Sequence, residues 1–436
     1  MPRPDDPRDR DADGHVQRWR LRRDHRNEHL PGACVDGACV AEAACGSGGA
    51  CVAPPGRVCV SAQDIRYPNE IGTCASGTCD YAGWTATCSG GCAGTACAPG
   101  SWLTHTRDPS RSFWACVAMD PEDRPHVFYY GLTGGSSTAL YETALTARGW
   151  DTRTIDSPVA AGLHHPFDCA IDRTGTAHVV YEDQISTSVR YARRPRGGTW
   201  GVEFLAPGGT RAYALLLRDL TPVAVYRDTM GLTAASRIAG TWTVERRAVQ
   251  SPANAVAAFD GAGEVVVAIT NVSSSSSGEP TQSRVGIPDA SGSWTFENTL
   301  EVGWIDDIVI DRATDTIEIS LSNLSPTFLD VHTRDATGRW TQQLVGGNLG
   351  DGRQGRLEVG SDGRLHVVFV GRCGTTTTSY GTCHAVRGSG GAYTVERAGV
   401  GLRARATDFA LDTADTPHIA GPDDFASDDL IYLRPF

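Results

Sequence analysis

A glycine followed one or two residues later by an aromatic recurs seven times along this chain. The aromatics are Trp102, Trp150, Trp200, Trp242, Trp294, Trp340 and Tyr393, separated by 48, 50, 42, 52, 46 and 53 residues. Self-similarity at a period of roughly fifty residues is the signature of a β-propeller, in which each copy is one small sheet. The copy number predicts seven blades.

The clearest copy, Phe167 to Leu205, parses into four strands: DCAID, AHVVYE, SVRYARR and TWGVEFL, with an Asp-Arg-Thr-Gly turn between the first two. Alternating apolar positions, β-branched residues and glycine-containing turns mark each strand. The second strand recurs as HVFYY, HVVYE, VAVYR, VVAIT, IEISL, HVVFV and HIAGP. The last copy stops at Phe436 without a Gly-x-Trp strand, whereas GSWLTHT at 100–106 precedes the first full copy. The fold class expected is therefore all-β: a seven-bladed propeller closed by an N-terminal strand that completes the last blade and hides its open edge.

Asp-x-x-Gly turns such as Asp172–Gly175, each followed by a His-Val-aromatic strand, resemble those of bacterial propellers with Asp-box-like turns, the sialidase-type, lectin and polysaccharide-lyase propellers. The resemblance spans about residues 100–436 and implies a scaffold. The full Ser-x-Asp-x-Gly-x-x-Trp box and the Arg-Ile-Pro element of sialidases are absent.

Ahead of the repeat, residues 1–30 are charged throughout and read as a disordered arm with nothing to bury. Residues 31–99 hold ten of the 14 cysteines among small residues. Such a segment cannot build a core and is expected to be a disulfide-stapled module. Zinc is the rival use, but no Cys-x-x-Cys pair is present. Spacing leaves the pairing of these ten open. Within the propeller, Cys373 and Cys383 bracket a Thr/Gly insert and are expected to bridge, stabilising that loop by about 2–3 kcal/mol in the loop-entropy view. Cys116 and Cys169 occupy nearly matching positions of the first two blades and are a second expected pair.

This cysteine usage points to an oxidising, extracellular or cell-surface location, although no signal peptide is visible in the first thirty residues. All 39 basic residues are arginine, as in proteins of GC-rich bacterial genomes, and the net charge is −12. An acidic chain without a basic stripe excludes nucleic acid as the expected partner. No apolar run is long enough to span a membrane, and a monomer is expected. The Ser-rich stretch 271–280 reads as a flexible insertion.

Histidines recur at one strand position: His126, His178, His366 and His418. Their place beside the first hairpin of each copy, spread around a ring, favours packing over a shared metal. The turn aspartates Asp120, Asp172, Asp219, Asp260, Asp311 and Asp412 are read as backbone caps, and the repeated tryptophans as packing between blades. Candidate ligand contacts lie where one copy passes into the next, around the channel mouth: Arg111, Phe113, Trp114, His164, His165, Trp304, Asp306, Arg353, Arg356, Arg403 and Arg405. Asp168, Asp307 and Asp408 share one frame, four residues before their turn residue. Three carboxylates facing one channel suit a cation such as Ca2+, or a sugar held together with arginines; no other cofactor is expected. Binding of carbohydrate or a surface protein is the favoured function. A lyase or glycosidase using the same face, and a scaffold without a small-molecule site, are the alternatives.

Overall fold

The computed structural model describes residue 45 and residues 51–108, 112–132, 138–159, 167–183, 185–208, 211–272, 280–322, 329–345, 353–373, 380–399, 402, 407–423 and 429–436. By compactness they fall into two units, one containing Cys45, Cys51 and Thr73–Asp80, the other Val52–Gly72 and Tyr81–Phe436. Among the described residues no helix is long and apolar enough to cross a membrane.

The larger unit is an all-β propeller. Six antiparallel four-stranded sheets follow one another, with innermost strands Ser112–Met119, Asp168–Ile171, Arg211–Arg218, Asn254–Phe259, Trp304–Asp311 and Arg353–Val359. We number these blades 1 to 6. After blade 6 comes a seven-stranded sheet that begins with Asp408–Leu411, Pro417–Pro422 and Leu430–Pro435. Its fourth strand is Trp102–Asp108, which pairs antiparallel with Leu430–Pro435 so that Trp102 faces Pro435 and His105 faces Tyr432. The chain thus ends against its own early strand, as the incomplete last copy predicts. Gly83–Cys88, Asp64–Pro68 and Val58–Cys59 then extend this closing sheet outward, an extension that cysteine spacing gives no hint of.

Apolar clusters lie between successive sheets. Phe128 and Tyr130 of blade 1 meet Phe167, Val179 and Tyr181 of blade 2; equivalent clusters join blades 2 to 3, 3 to 4, 4 to 5 and 5 to 6. Val368 and Ala398 of blade 6 meet Phe409, Ile419 and Leu433 of the closing sheet. Leu430 and Tyr432 in turn pack on Ala115, Val117 and Tyr129 of blade 1. These contacts form a closed cycle. Because every blade is covered on both faces, its second strand is largely buried, end to end in Ala177–Asp183, and is rich in Val, Ile and Tyr rather than alternating. Outermost strands such as Thr241–Ala248 are half exposed and carry the Trp, Arg and Glu residues.

Those outer tryptophans pack across blades. Trp200 meets Phe128 edge-on at 6.2 Å and donates its Nε1 hydrogen to Glu142 at 3.2 Å, while Trp242 does the same with Tyr191 at 5.1 Å and Glu203 at 2.8 Å. The turn aspartates cap: Asp172 accepts the Thr174 and Thr176 N–H groups at 2.9 Å, and Asp412 those of Ala414 and Thr416. Asp219 differs, sitting at φ 58° in the tight turn between Arg218 and Thr221. Each recurrent histidine stays within its own blade region; His178 lies 3.3 Å from Asp172 and 2.5 Å from the Tyr191 hydroxyl.

Disulfides join Cys45 to Cys74, Cys51 to Cys79, Cys59 to Cys92, Cys88 to Cys97, Cys116 to Cys169 and Cys373 to Cys383, leaving no free cysteine among the described residues. Cys34 and Cys39, the arm 1–30 and most of the Ser-rich stretch lie outside the described residues. Multiple bridges fit an oxidising environment.

Trp102 is 2% exposed and fills the interface between blade 6 and the closing sheet. Trp102→Ala is expected to cost about 3–5 kcal/mol of stability, read as a lowered denaturant midpoint; a loss below about 1 kcal/mol would contradict closure by this strand.

Candidate functional site

All innermost strands point their first residues at the centre of the ring, and there they line a cavity of about 450 Å³. Four of these strands carry a β-bulge at that end. The register skips Trp114 in blade 1, Tyr213 in blade 3, Asp306 in blade 5, and Gln354 with Gly355 in blade 6. A bulge leaves a residue out of the ladder and re-aims its side chain. Trp114, Tyr213, Asp306 and Gln354 all line the cavity. Trp114 and Gln354 hold φ of 39° and 53°, a left-handed backbone that non-glycine residues adopt only at a cost.

Two or fewer residues further along lies the shared frame. Reading around the ring it holds Cys116, Asp168, Leu215, Val256, Asp307, Arg356 and Asp408. Its carboxylates reach across blade boundaries. Asp168 accepts the N–H of Leu215 in blade 3 at 2.7 Å as well as that of its neighbour Cys169 at 2.8 Å. Asp307 likewise takes Leu357 N–H of blade 6 at 2.9 Å and Ile308 N–H at 2.8 Å. Asp408 of the closing sheet accepts Val117 N–H of blade 1 at 3.0 Å. Where blade 1 has Cys116, the link to blade 2 is covalent, through Cys169. Arg356 takes the frame position of blade 6. Its guanidinium donates to the carbonyls of Thr407 at 3.3 Å and Asp306 at 3.2 Å and stands 3.7 Å from the Asp408 carboxylate.

Crowding carboxylates in a narrow, poorly hydrated centre raises their pKa values, since burial disfavours the charged form. Asp306 is 8% exposed, and burial pushes its carboxyl up to about 7 against the pull of Ser322, Arg356 and the Gly355 N–H. Burial likewise raises Asp168 to about 7 and Asp307 to about 6. Both keep a partial opening to the lumen, where water screens their charge, whereas Asp306 is buried. Arg356 is held more firmly cationic by Asp408, Asp307, Asp168 and Asp306, which outweigh its own desolvation.

Of the residues singled out from the sequence, the structure brings Trp114, Asp168, Trp304, Asp307, Arg356 and Asp408 together in this cavity, with Asp306. Arg111, His164, His165, Arg403 and Arg405 lie outside the described residues; Arg353 opens the inner strand of blade 6, its backbone paired with Val370. Arg211, Tyr213, Asn254 and Gln354 also line the cavity and were not anticipated. A bulge adds one residue without disturbing the hydrophobic pattern on either side, so alternation alone cannot expose it. Among the described residues, two buried polar atoms of lining side chains have no hydrogen-bond partner: Nε1 of Trp304 and Oε1 of Gln354.

The sequence matches no protein-family model and no curated protein. Among solved structures, the chain is similar to the beta-propeller domain of the Trilobed protease from Pyrococcus furiosus, at 8% identity and a TM-score of 0.47, covering 74% of this chain and 95% of that one. It is similar to Kuenenia stuttgartiensis hydrazine synthase at 12% identity and a TM-score of 0.48, over 76% of this chain and 96% of that one. The third is polysaccharide lyase Uly1, at 9% identity and a TM-score of 0.48, over 71% and 88%. No activity or ligand passes to this chain from likenesses at that level.

A carboxyl whose folded pKa is raised contributes stability that is complete below its unfolded value of 3.8 and is lost as pH rises through about 7. The thermal midpoint is therefore expected to fall from pH 5 to pH 8. Asp306→Asn should flatten that fall, each proton involved being worth about 1.4 kcal/mol per pH unit. Parallel curves for the two proteins would contradict the assignment.

Proposed function

We propose that this chain is an extracellular or cell-surface seven-bladed propeller that binds carbohydrate in its central cavity. In this reading the seven-stranded sheet is the seventh blade, and the stapled segment ahead of Gly100 is an accessory module to it. The observation that carries the reading is the lining itself: Trp114 and Trp304 beside Arg211, Arg356 and four aspartates, with Trp304 Nε1 and Gln354 Oε1 lacking partners. Sugars present an apolar C–H face and a ring of hydroxyls that both donate and accept. An aromatic wall with adjacent unspent donors and acceptors matches that pattern.

Binding is favoured over hydrolysis because the carboxylates are already engaged. Both oxygens of Asp168 and of Asp307 accept backbone N–H groups, and Asp306 accepts from Ser322. A glycosidase needs one carboxyl free to deliver a proton and another to act on the opposite face of the sugar. Tyr213, the phenol nearest to hand for a lyase, donates instead to the Pro252 carbonyl at 2.6 Å.

The test is a glycan and polysaccharide array with the purified chain, followed by calorimetry on any hit. Trp304→Ala is expected to weaken binding at least about tenfold, or roughly 1.4 kcal/mol, while leaving the fold intact. Silence across the whole array, or a hit that Trp304→Ala leaves unaltered, would remove the proposal.

A further inference from the structure

Away from the cavity, blade 5 buries a histidine that makes no hydrogen bond to any described residue. His332 lies in the strand Leu329–Arg334 and is 0% exposed; among the described residues neither Nδ1 nor Nε2 has a hydrogen-bond partner. A neutral imidazole always has one donor and one acceptor to satisfy, so sealing both away from water is unfavourable unless something else occupies them. Two of the recurrent histidines illustrate the rule: His178 and His418 each find a carboxylate and a tyrosine hydroxyl.

What surrounds His332 is a pair of carboxylates. Asp330, two residues earlier, shares its face of the strand and is 4% exposed. Glu301, in the connection from blade 4 to blade 5, reaches the same spot from the solvent side. One ligand atom from each of the three lies within 4.8 Å of the other two. The connection bearing Glu301 is pinned on both sides. Thr299 N–H donates to the Ser283 carbonyl at 3.0 Å, and Gly303 N–H donates to the Ser283 hydroxyl at 2.9 Å. Asp330 is steadied by the Gln342 side chain.

We infer that His332, Asp330 and Glu301 form a binding site for a divalent transition-metal ion, Zn2+ in the first instance, that ties the blade 4–5 connection to the third strand of blade 5. The donor set supports this class. One imidazole and two carboxylates suit Zn2+, Mn2+ or Co2+, whereas Ca2+ and Mg2+ prefer oxygen alone. An ion about 2.1 Å from each donor at tetrahedral angles sets the three atoms about 3.4 Å apart. Drawing them in to that separation falls to Glu301, the exposed ligand on the longest stem. With three protein ligands, water would complete the shell. The cluster of Cys45, Cys51 and Cys79 does not compete, because all three are oxidised in disulfides.

The experiment uses the full chain, tag-free and stripped with chelator, then equilibrated with Zn2+ or Co2+ and freed of unbound ion. Metal per chain is counted by mass spectrometry, and the Co2+ form is read by its visible d–d absorption. One ion per chain is expected, with a thermal midpoint raised by the ion. Glu301→Gln, a surface change that leaves the core untouched, should weaken binding at least tenfold. His332→Gln should abolish the site and the Co2+ spectrum. The inference is overturned if neither ion binds stoichiometrically. It is also overturned if Glu301→Gln binds as tightly as the parent chain, whatever becomes of the His332 variant.

Discussion

The innermost strand of every propeller blade has an edge with no neighbour to pair with, and its N–H groups must find acceptors elsewhere. Here the acceptors are side chains of the adjacent blade. Asp168, Asp307 and Asp408 each receive a backbone N–H from the strand beyond their own. Glu358 does so for Leu411 at 2.8 Å and is itself pushed up to about 8 by burial. Where the carboxyl is ionised, bonds of this kind are charge-assisted and among the stronger ones a protein makes. They hold neighbouring blades in register at the strand ends that line the cavity. The acidity of the channel follows from this: carboxylates gather at the centre because the strand edges there need them.

The cavity inherits its chemistry from that arrangement. Arg356 takes the frame position of blade 6 and spans from the Asp306 carbonyl to Thr407 and Asp408. The bulges then add what the regular strands cannot, an indole, a phenol, an amide and a further carboxyl turned toward the lumen. Inter-blade links and cavity lining are thus built from neighbouring residues of the same strand ends.

The architecture was legible because a propeller repeats, and repetition survives the loss of any single signal. Gly-x-Trp strands, His-Val-aromatic strands and capping aspartates each mark the period, and the unfinished last copy revealed how the ring is fastened. The shared frame of Asp168, Asp307 and Asp408 was visible for the same reason. What stayed hidden has no periodicity. Tyr213 and Gln354 enter the cavity only because their strands bulge. Asp64–Pro68 and Gly83–Cys88 join the closing sheet although their surroundings read as cysteine-rich loop; their small core of Ile65, Ala86 and Leu103 is too sparse to register as strands. His332 is likewise out of frame with its four recurrent counterparts and is defined by neighbours that meet it only in three dimensions.

The pairing of Trp102–Asp108 with Leu430–Pro435 imposes an order on biosynthesis. The strand that fastens the ring is made before any blade, and its partner after all six, so more than three hundred residues must emerge while it waits. Contacts so distant along the chain form slowly, and a waiting strand with a bare edge invites pairing with other chains. Gly83–Cys88 lies on the far edge of that strand and pairs with it, itself tied by the Cys88–Cys97 bridge. A nascent chain can therefore shield one side of its latch locally, leaving a single edge open for the final ribbon to claim.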